Sequence, residues 1–171
     1  MKQKLSFIAI ILATALFPIK SYSRALDNTG MVPLLSLGVG AFNVCQRETT
    51  AQFQIEYRSA LSFIKARPFI GAFTTTKSNF YLYGGLGWDL HFSKYLVVTP
   101  SFAPGLYLHG NDKKLGYPLE FRTSLEVAYK FKNKARLGLQ FYHISNASIG
   151  EHNPGAESLM LFYSIPLTGG R

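Results

Sequence analysis

The sequence has little of what usually cross-links a domain, binds a metal or crosses a membrane as a helix. It contains a single cysteine, Cys45, so no disulfide can form within the chain. Its main apolar run, residues 5–17, is shorter than the roughly 20 residues that a membrane-spanning helix needs. No group of His, Cys, Asp or Glu has metal-ligand spacing, so we predict no metal and no cofactor. Helical periodicity is almost absent beyond this run, which argues against a helical fold.

The N-terminal segment has the layout of a targeting signal. Lys2 and Lys4 precede the apolar run, and the small residues Ser21 and Ser23 follow it. A basic start, a short apolar core and small residues at the end are typical of a secretory signal peptide, whereas the alternative is a buried N-terminal helix. We therefore expect residues 1–23 to be removed on export and residues 24–171 to form one domain.

Acidic residues are scarce. The chain has 18 Lys and Arg against 9 Asp and Glu, a net charge of +9, and loss of three lysines with the signal leaves 18 − 3 − 9 = +6. A positive charge could suit nucleic acid, but export argues against that partner. An anionic membrane surface or a phosphorylated lipid is the expected partner, and solvated loop charge is the plain alternative.

The rest of the chain reads as short segments in which apolar and polar residues alternate. Eight such segments are separated by polar turns: residues 35–44, 52–58, 67–75, 80–92, 96–109, 120–131, 135–145 and 157–165. The third segment does not reveal which of its faces is apolar. Eight strands of this kind can form a soluble ligand-carrying barrel or a membrane barrel.

The charged face distinguishes these two barrels. One face of the segments carries charged side chains, and the other is a band of Leu, Val and Phe; the charged set is Glu56, Arg58, Glu120, Arg122, Glu126, Lys130 and Arg136. Ion pairs can fill a narrow lumen while the apolar band meets lipid, so the pattern predicts an all-β, eight-stranded antiparallel transmembrane β-barrel. Together with a signal peptide, this fold implies the bacterial outer membrane. The short turns at 93–94 and 132–134 then lie on the periplasmic side, and the longer connections 110–119 and 146–156 lie outside.

Three residues with catalytic side chains continue the apolar face of the last two strands. If the hairpin loop is centred near Gly150, residues whose numbers add to 300 face each other, so His143 lies opposite Glu157. Ser145 follows His143 by two residues on the same face. Nucleophile, base and orienting acid in this arrangement indicate a serine hydrolase whose site faces lipid.

An ester hydrolase of this type also needs donors for the oxyanion of its tetrahedral intermediate. Backbone amides and side-chain amides just after the nucleophile are the candidates: Asn146, Ala147, Ser148 and Asn153. Each polar residue taken alone is ordinary at a barrel rim, so the residues leave two rivals open. These are a non-catalytic structural or adhesion barrel and a phospholipid-directed esterase. A homodimer is also left open.

Two segments carry a resemblance to a known family. Residues 141–147 (FYHISNA) and 153–158 (NPGAES) resemble the signature of the lipid A 3-O-deacylases, the PagL type, and residues 99–107 and 115–122 are also similar to that family. The resemblance covers residues 36–167. It implies an outer-membrane enzyme that hydrolyses the ester-linked 3-O acyl chain, a 3-hydroxy fatty acid, of lipid A in lipopolysaccharide in the outer leaflet.

The resemblance also extends to single positions. His143, Ser145 and Glu157 match the family's triad positions, which agrees with the argument from strand alternation. The family usually has glycine where Ser148 stands. If that position requires a positive φ, the serine must adopt it or change the loop.

Overall fold

The structure is a computed structural model that describes residues 31–46, 48–111 and 113–167. The predicted signal peptide, residues 1–23, lies outside the described residues, so it stays a prediction, as does the single domain over residues 24–171. Among the described residues, no helix is long and apolar enough to cross a membrane.

The described chain forms one antiparallel sheet of nine strands. In chain order these are β1 (Leu34–Phe42), β2 (Thr50–Arg58), β3 (Arg67–Thr75), β4 (Phe80–Gly87), β5 (Leu90–His91), β6 (Leu96–Leu108), β7 (Leu119–Lys130), β8 (Arg136–Ser145) and β9 (Ala156–Pro166). The two-residue strand β5 continues β4 after a break at Trp88 and Asp89, and both pair with β6.

The sheet closes into a barrel. β4 and β5 follow one another along β6 and together form one of the eight strand positions around the barrel. Strands at successive positions are hydrogen-bonded, and β1 pairs with β9 to join the ends of the sheet. Within the described residues, closure leaves no edge strand, which is the condition for β-structure in lipid. The predicted fold class, an eight-stranded antiparallel barrel, is confirmed.

Alternation places apolar side chains outside and charged ones inside. The outward residues of neighbouring strands are about half exposed, among them Leu37, Val39, Phe53, Ile55, Leu125, Val127, Leu139 and Leu161. The charged residues Glu56, Arg58, Glu120, Arg122, Glu126 and Arg136 are buried in the lumen. The predicted assignment of faces is therefore confirmed for these residues.

Two kinds of side chain fill the lumen. Near the end where the described N- and C-terminal residues pair, Asp89 accepts hydrogen bonds from Arg67 (2.8 Å) and Arg136 (2.6 Å), and Arg58 pairs with Glu126 (3.0 Å). Towards the other end the lumen is aromatic, with a buried cluster that includes Phe42, Phe73, Tyr81, Tyr83, Tyr107 and Tyr142. The ion pairs are thus concentrated at one end, while at the other end polar groups lie among aromatic rings, as Arg122 does over Tyr83 and Tyr142, which refines the expectation of a polar interior.

The aromatic half explains why the third segment could not be assigned from sequence. On β3, Phe69 and Phe73 point into the lumen, and Ile70 points outward. Apolar residues therefore occupy both faces of this strand, so polarity does not distinguish them.

Spin labels at two adjacent residues on each of β8 and β9 test which side chains face lipid and which face the lumen. Leu139 and Leu161 are 54% and 50% exposed, whereas Gln140 and Phe162 are 2% and 3% exposed. We expect spin labels at 139 and 161, measured by electron paramagnetic resonance in bilayers, to be quenched by lipid-soluble relaxing reagents. Labels at 140 and 162 should be protected. Equal quenching at all four positions would contradict the assignment of faces and the lipid-facing site.

Candidate active site

The end of β8 and the start of β9 bring His143 and Glu157 together. The two residues are direct partners in the strand register, as the sum of 300 predicted. His143 Nδ1 lies 3.0 Å from Glu157 Oε1, and the two side chains are 45% and 24% exposed. With Nδ1 held by the carboxylate, Nε2 is the ring nitrogen left for a nucleophile.

Ser145 is the last residue of β8 and shares the outward face with His143. It is half-buried, and its strand partner on the other side is Phe121 of β7. Within the described residues its hydroxyl makes no hydrogen bond, so only the strand register links it to His143. Catalytic hydrogen bonds are often long before substrate binds and tighten in the complex, and this geometry is compatible with that behaviour.

Asn146 holds together the two long connections at this end of the barrel. The residue is fully buried, and its Nδ2 donates to the carbonyls of Leu115 (2.9 Å) and His152 (2.8 Å). Its backbone amide donates to Asn153 Oδ1 (3.0 Å), and its Oδ1 accepts from the amide of Ser148 (2.9 Å). The connection after β6 therefore helps to shape the loop after the nucleophile.

The first turn of that loop has both central residues in the left-handed region. The Ile149 amide donates to the Asn146 carbonyl (3.0 Å), with φ of 51° at Ala147 and 62° at Ser148, which is type I′ geometry. A non-glycine residue held there costs about 1–3 kcal/mol. Position 148 thus has a positive φ, and Ser148 adopts it.

These hydrogen bonds separate the four predicted oxyanion donors into two groups. The Asn146 amides and the Ser148 backbone amide already donate to groups within the loops. By contrast, the backbone N–H of Ala147 and the side-chain amide of Asn153 donate no hydrogen bond to any described residue. Those two donors are the ones available to a ligand.

Gly155 is a neighbour of the site that sequence reasoning missed. Its φ is +59°, and a Cβ built on it would lie 2.8 Å from His143 Cε1, closer than atoms can approach. The His143 ring therefore occupies the space that a side chain at 155 would need. On the opposite flank, Thr123 of β7 is the strand partner of His143 and is exposed on the same face. The NPGAES motif contains Gly155, but its role depends on packing that the motif does not reveal.

The described part of the chain contains no cluster of three His, Cys, Asp or Glu side chains suited to a metal ion. The candidate chemistry rests on a hydrogen-bonded His–Glu pair and a serine hydroxyl on the same outward face of the barrel.

This chain resembles known proteins over the strands that carry the candidate site. The sequence model of the family described as lipid A 3-O-deacylase (PagL) matches residues 78–166, which is more than half of the chain. The chain belongs to the lipid A 3-O-deacylase (PagL) family. The matched region contains β4 to β9 and all three residues of the predicted triad.

Two curated relatives carry the family's name. The lipid A deacylase PagL of Pseudomonas aeruginosa is 39% identical over 56 residues, 33% of this chain and 32% of that protein. The lipid A deacylase PagL of Bordetella bronchiseptica is 30% identical over 89 residues, 52% of this chain and 42% of that protein. The matched part thus spans between about a third and two fifths of these relatives' own length.

Solved structures support the family's fold. A crystal structure of the outer membrane enzyme PagL superposes with a TM-score of 0.63 at 21% identity, covering 78% of this chain and 99% of that one. Neisserial surface protein A superposes with a TM-score of 0.59 at 8% identity, covering 81% and 97%. The apolar outer face, the closed barrel and the family membership agree with the predicted location in the bacterial outer membrane.

Proposed function

We propose that this protein hydrolyses the ester-linked 3-O acyl chain of lipid A in the outer leaflet of the bacterial outer membrane and so remodels lipopolysaccharide. The observation that carries the proposal is the His143–Glu157 pair, 3.0 Å apart beside Ser145 on the outward face of a barrel of this family. A lipid ester in the outer leaflet would meet that face without leaving the membrane.

The triad would act in two half-reactions. His143 Nε2 takes the proton of Ser145 as Oγ attacks the ester carbonyl, and Glu157 stabilises the imidazolium. Collapse of the tetrahedral intermediate expels the sugar alkoxide, which takes the proton from His143 and leaves an acyl-serine. Water, deprotonated by His143, then attacks this ester and releases the 3-hydroxy fatty acid and free Ser145.

The oxyanion of each tetrahedral intermediate needs hydrogen-bond donors that do not already donate to a group within the loops. We assign this role to the backbone N–H of Ala147 and the side-chain amide of Asn153, since the Asn146 and Ser148 amides bind within the loops. Asn146 and the Ser148 amide then shape the turn that presents Ala147. The triad residues come from one chain, so the mechanism needs no second copy, and the homodimer stays a prediction.

Mass spectrometry of lipid A from cells with and without this protein tests the proposed function. The expected result is a loss equal to one 3-hydroxyacyl group, and purified folded protein in detergent should release the same fatty acid from lipid A. Release of fatty acid from glycerophospholipid instead would favour a phospholipid-directed esterase. Because the same fold occurs in proteins of different function, absence of both activities would favour a non-catalytic barrel.

Removal of metal ions separates the proposed activity from a calcium-dependent one. A serine triad uses no ion, so we expect hydrolysis of lipid A to keep its full rate in excess chelator. The rate of fatty-acid release with and without chelator is the measurement. A rate that disappears with chelator and returns only when calcium is added would contradict the cofactor-free mechanism.

Gly155→Ala should damage catalysis by displacing the His143 ring. The new Cβ would lie 2.8 Å from His143 Cε1 on a backbone with φ of +59°. A shift of about 1 Å at a reacting group can cost about 100-fold in rate, so we expect kcat to fall by about 10- to 100-fold. Gly84→Ala is the matched control, because its Cβ meets nothing closer than 3.6 Å. Normal kcat in folded Gly155→Ala would show that this contact does not position the base.

A further inference from the structure

A polar cleft lies at the same end of the barrel as the candidate active site. Four side chains line it: Asn43, Gln46, Glu48 and Lys113. The first three belong to the connection between β1 and β2, and Lys113 belongs to the connection between β6 and β7. The space between them measures about 470 Å³. We call it the outer cleft.

The outer cleft is joined to the catalytic hairpin through the backbone. Phe42, the residue before Asn43, is the strand partner of Ser158, and the Val44 amide donates to the Glu157 carbonyl at 3.0 Å. Asn43 therefore lies between two residues that contact the start of β9. A molecule whose ester bond sits at His143 can extend towards the cleft along the top of β1 and β9.

One wall of the outer cleft contains a buried acceptor without a donor. Asn43 is 1% exposed, and its Nδ2 donates to the Glu48 carbonyl at 3.1 Å. Its Oδ1, however, has no hydrogen-bond partner among the described residues. An unsatisfied acceptor is unfavourable, and because the Asn43 side chain lines the cleft, a turn of its amide towards the cleft would let a hydroxyl donor of a ligand satisfy this oxygen.

The lining chemistry distinguishes between ligand classes. Lys113 Nζ donates to Gln46 Oε1, whereas Asn43 Oδ1 and the Glu48 carboxylate offer acceptors only. The four side chains carry one positive and one negative charge, so they give a phosphate no net attraction. Phosphate oxygens are mainly acceptors and would face two acceptors here. Sugar hydroxyls both donate and accept, and they suit all four groups.

We propose that the outer cleft is a saccharide subsite that holds the sugars attached to the lipid A portion of lipopolysaccharide. This inference rests on the proposed function and adds to it a recognition site for the polar part of the substrate. The cleft orients the lipid so that its 3-O ester meets Ser145, which raises affinity for the sugar-bearing substrate and leaves the chemical step unchanged.

Direct binding tests the subsite without any requirement for activity. The probe is the lipid-free oligosaccharide released from lipopolysaccharide by mild acid, titrated calorimetrically into the full folded protein in detergent. We expect saturable binding that weakens about tenfold in Glu48→Ala and in Lys113→Ala, since hydrogen bonds to charged groups are lost. Lys132→Ala removes an exposed lysine on the turn between β7 and β8, at the opposite end, and should bind as wild type.

Kinetics with two substrates complete the experiment. In Glu48→Ala and Lys113→Ala, KM should rise about tenfold for lipopolysaccharide and stay unchanged for lipid A without the attached sugars, with kcat unaltered for both. Oligosaccharide binding that is absent, or unaffected by both variants, would overturn the inference. Binding of inorganic phosphate that displaces the oligosaccharide would also overturn it, in favour of an anion site. Oligosaccharide binding by protein that hydrolyses no ester would contradict the proposed function and leave the saccharide site standing.

Discussion

Ser145→Ala is expected to lower kcat for release of the 3-hydroxy fatty acid by about 10⁴- to 10⁶-fold, and His143→Asn by a similar factor. The first change removes the nucleophile, and the second removes the group that accepts its proton. Both residues lie at one rim of the barrel on its outward surface, outside the packed lumen. The barrel should therefore fold, which heat-modifiable gel mobility and circular dichroism can verify before the rates are compared.

The pattern among combined variants distinguishes a triad from independent contributions. Triad residues act as a unit, so Ser145→Ala with His143→Asn should be little worse than either change alone. Glu157→Ala should lose less, because the acid orients and stabilises the imidazolium without taking part in bond making. Ser62→Ala, an exposed serine on the turn between β2 and β3, is the matched control. Wild-type kcat in folded Ser145→Ala would end the serine-hydrolase mechanism.

Asp89→Ala is expected to destabilise the barrel by about 3–5 kcal/mol, because it leaves buried arginines without their shared partner. Asp89 Oδ2 accepts from Arg67 at 2.8 Å and from Arg136 at 2.6 Å, and its Oδ1 lies 3.5 Å from Arg58 Nη1. These three arginines are 1–4% exposed, so water cannot replace the lost carboxylate at low cost. The free energy of unfolding in urea, measured in lipid vesicles, is the readout.

Two comparisons make the effect of Asp89 specific. Asp89→Asn keeps an acceptor of the same shape and should lose less stability than Asp89→Ala. Glu151→Ala removes an exposed carboxylate in the loop after β8 and should be close to neutral. Because Asp89 lies at the opposite end of the barrel from His143, folded Asp89→Ala should keep wild-type kcat. Unchanged stability in Asp89→Ala would show that the three arginines are satisfied without this carboxylate.

The strands and most of their faces were predictable because a closed membrane barrel imposes a period of two on the sequence. Leu137, Leu139 and Phe141 alternate with residues of the opposite face, and a shift by one residue would place every one of them in the lumen. The same constraint made His143 and Glu157 predictable as partners, since the register of a hairpin follows from the position of its loop. The structure has that register.

The interior pairing was beyond sequence reasoning. Asp89 stands in the break between β4 and β5, and its arginine partners come from β2, β3 and β8. Nothing local to residue 89 indicates these partners, because they meet only when the sheet has closed around a narrow lumen. Likewise, the sequence of β3 does not indicate which of its faces points inward, because apolar side chains suit both the lumen and the lipid-facing surface. The space in the lumen that Phe69 and Phe73 fill decides it.

The sequence by itself determined the eight alternating segments, the outward position of His143, Ser145 and Glu157, and the motifs of the family. Only the tertiary structure decided how the site is held: the left-handed φ of Ser148, the Gly155 backbone against the His143 ring, and the Asn146 amide between two loops. Alternation along a strand is a local property that side-chain polarity reveals. Contacts between the connection after β6 and the loop after β8 depend on barrel closure, which brings residues distant in the chain within hydrogen-bond distance.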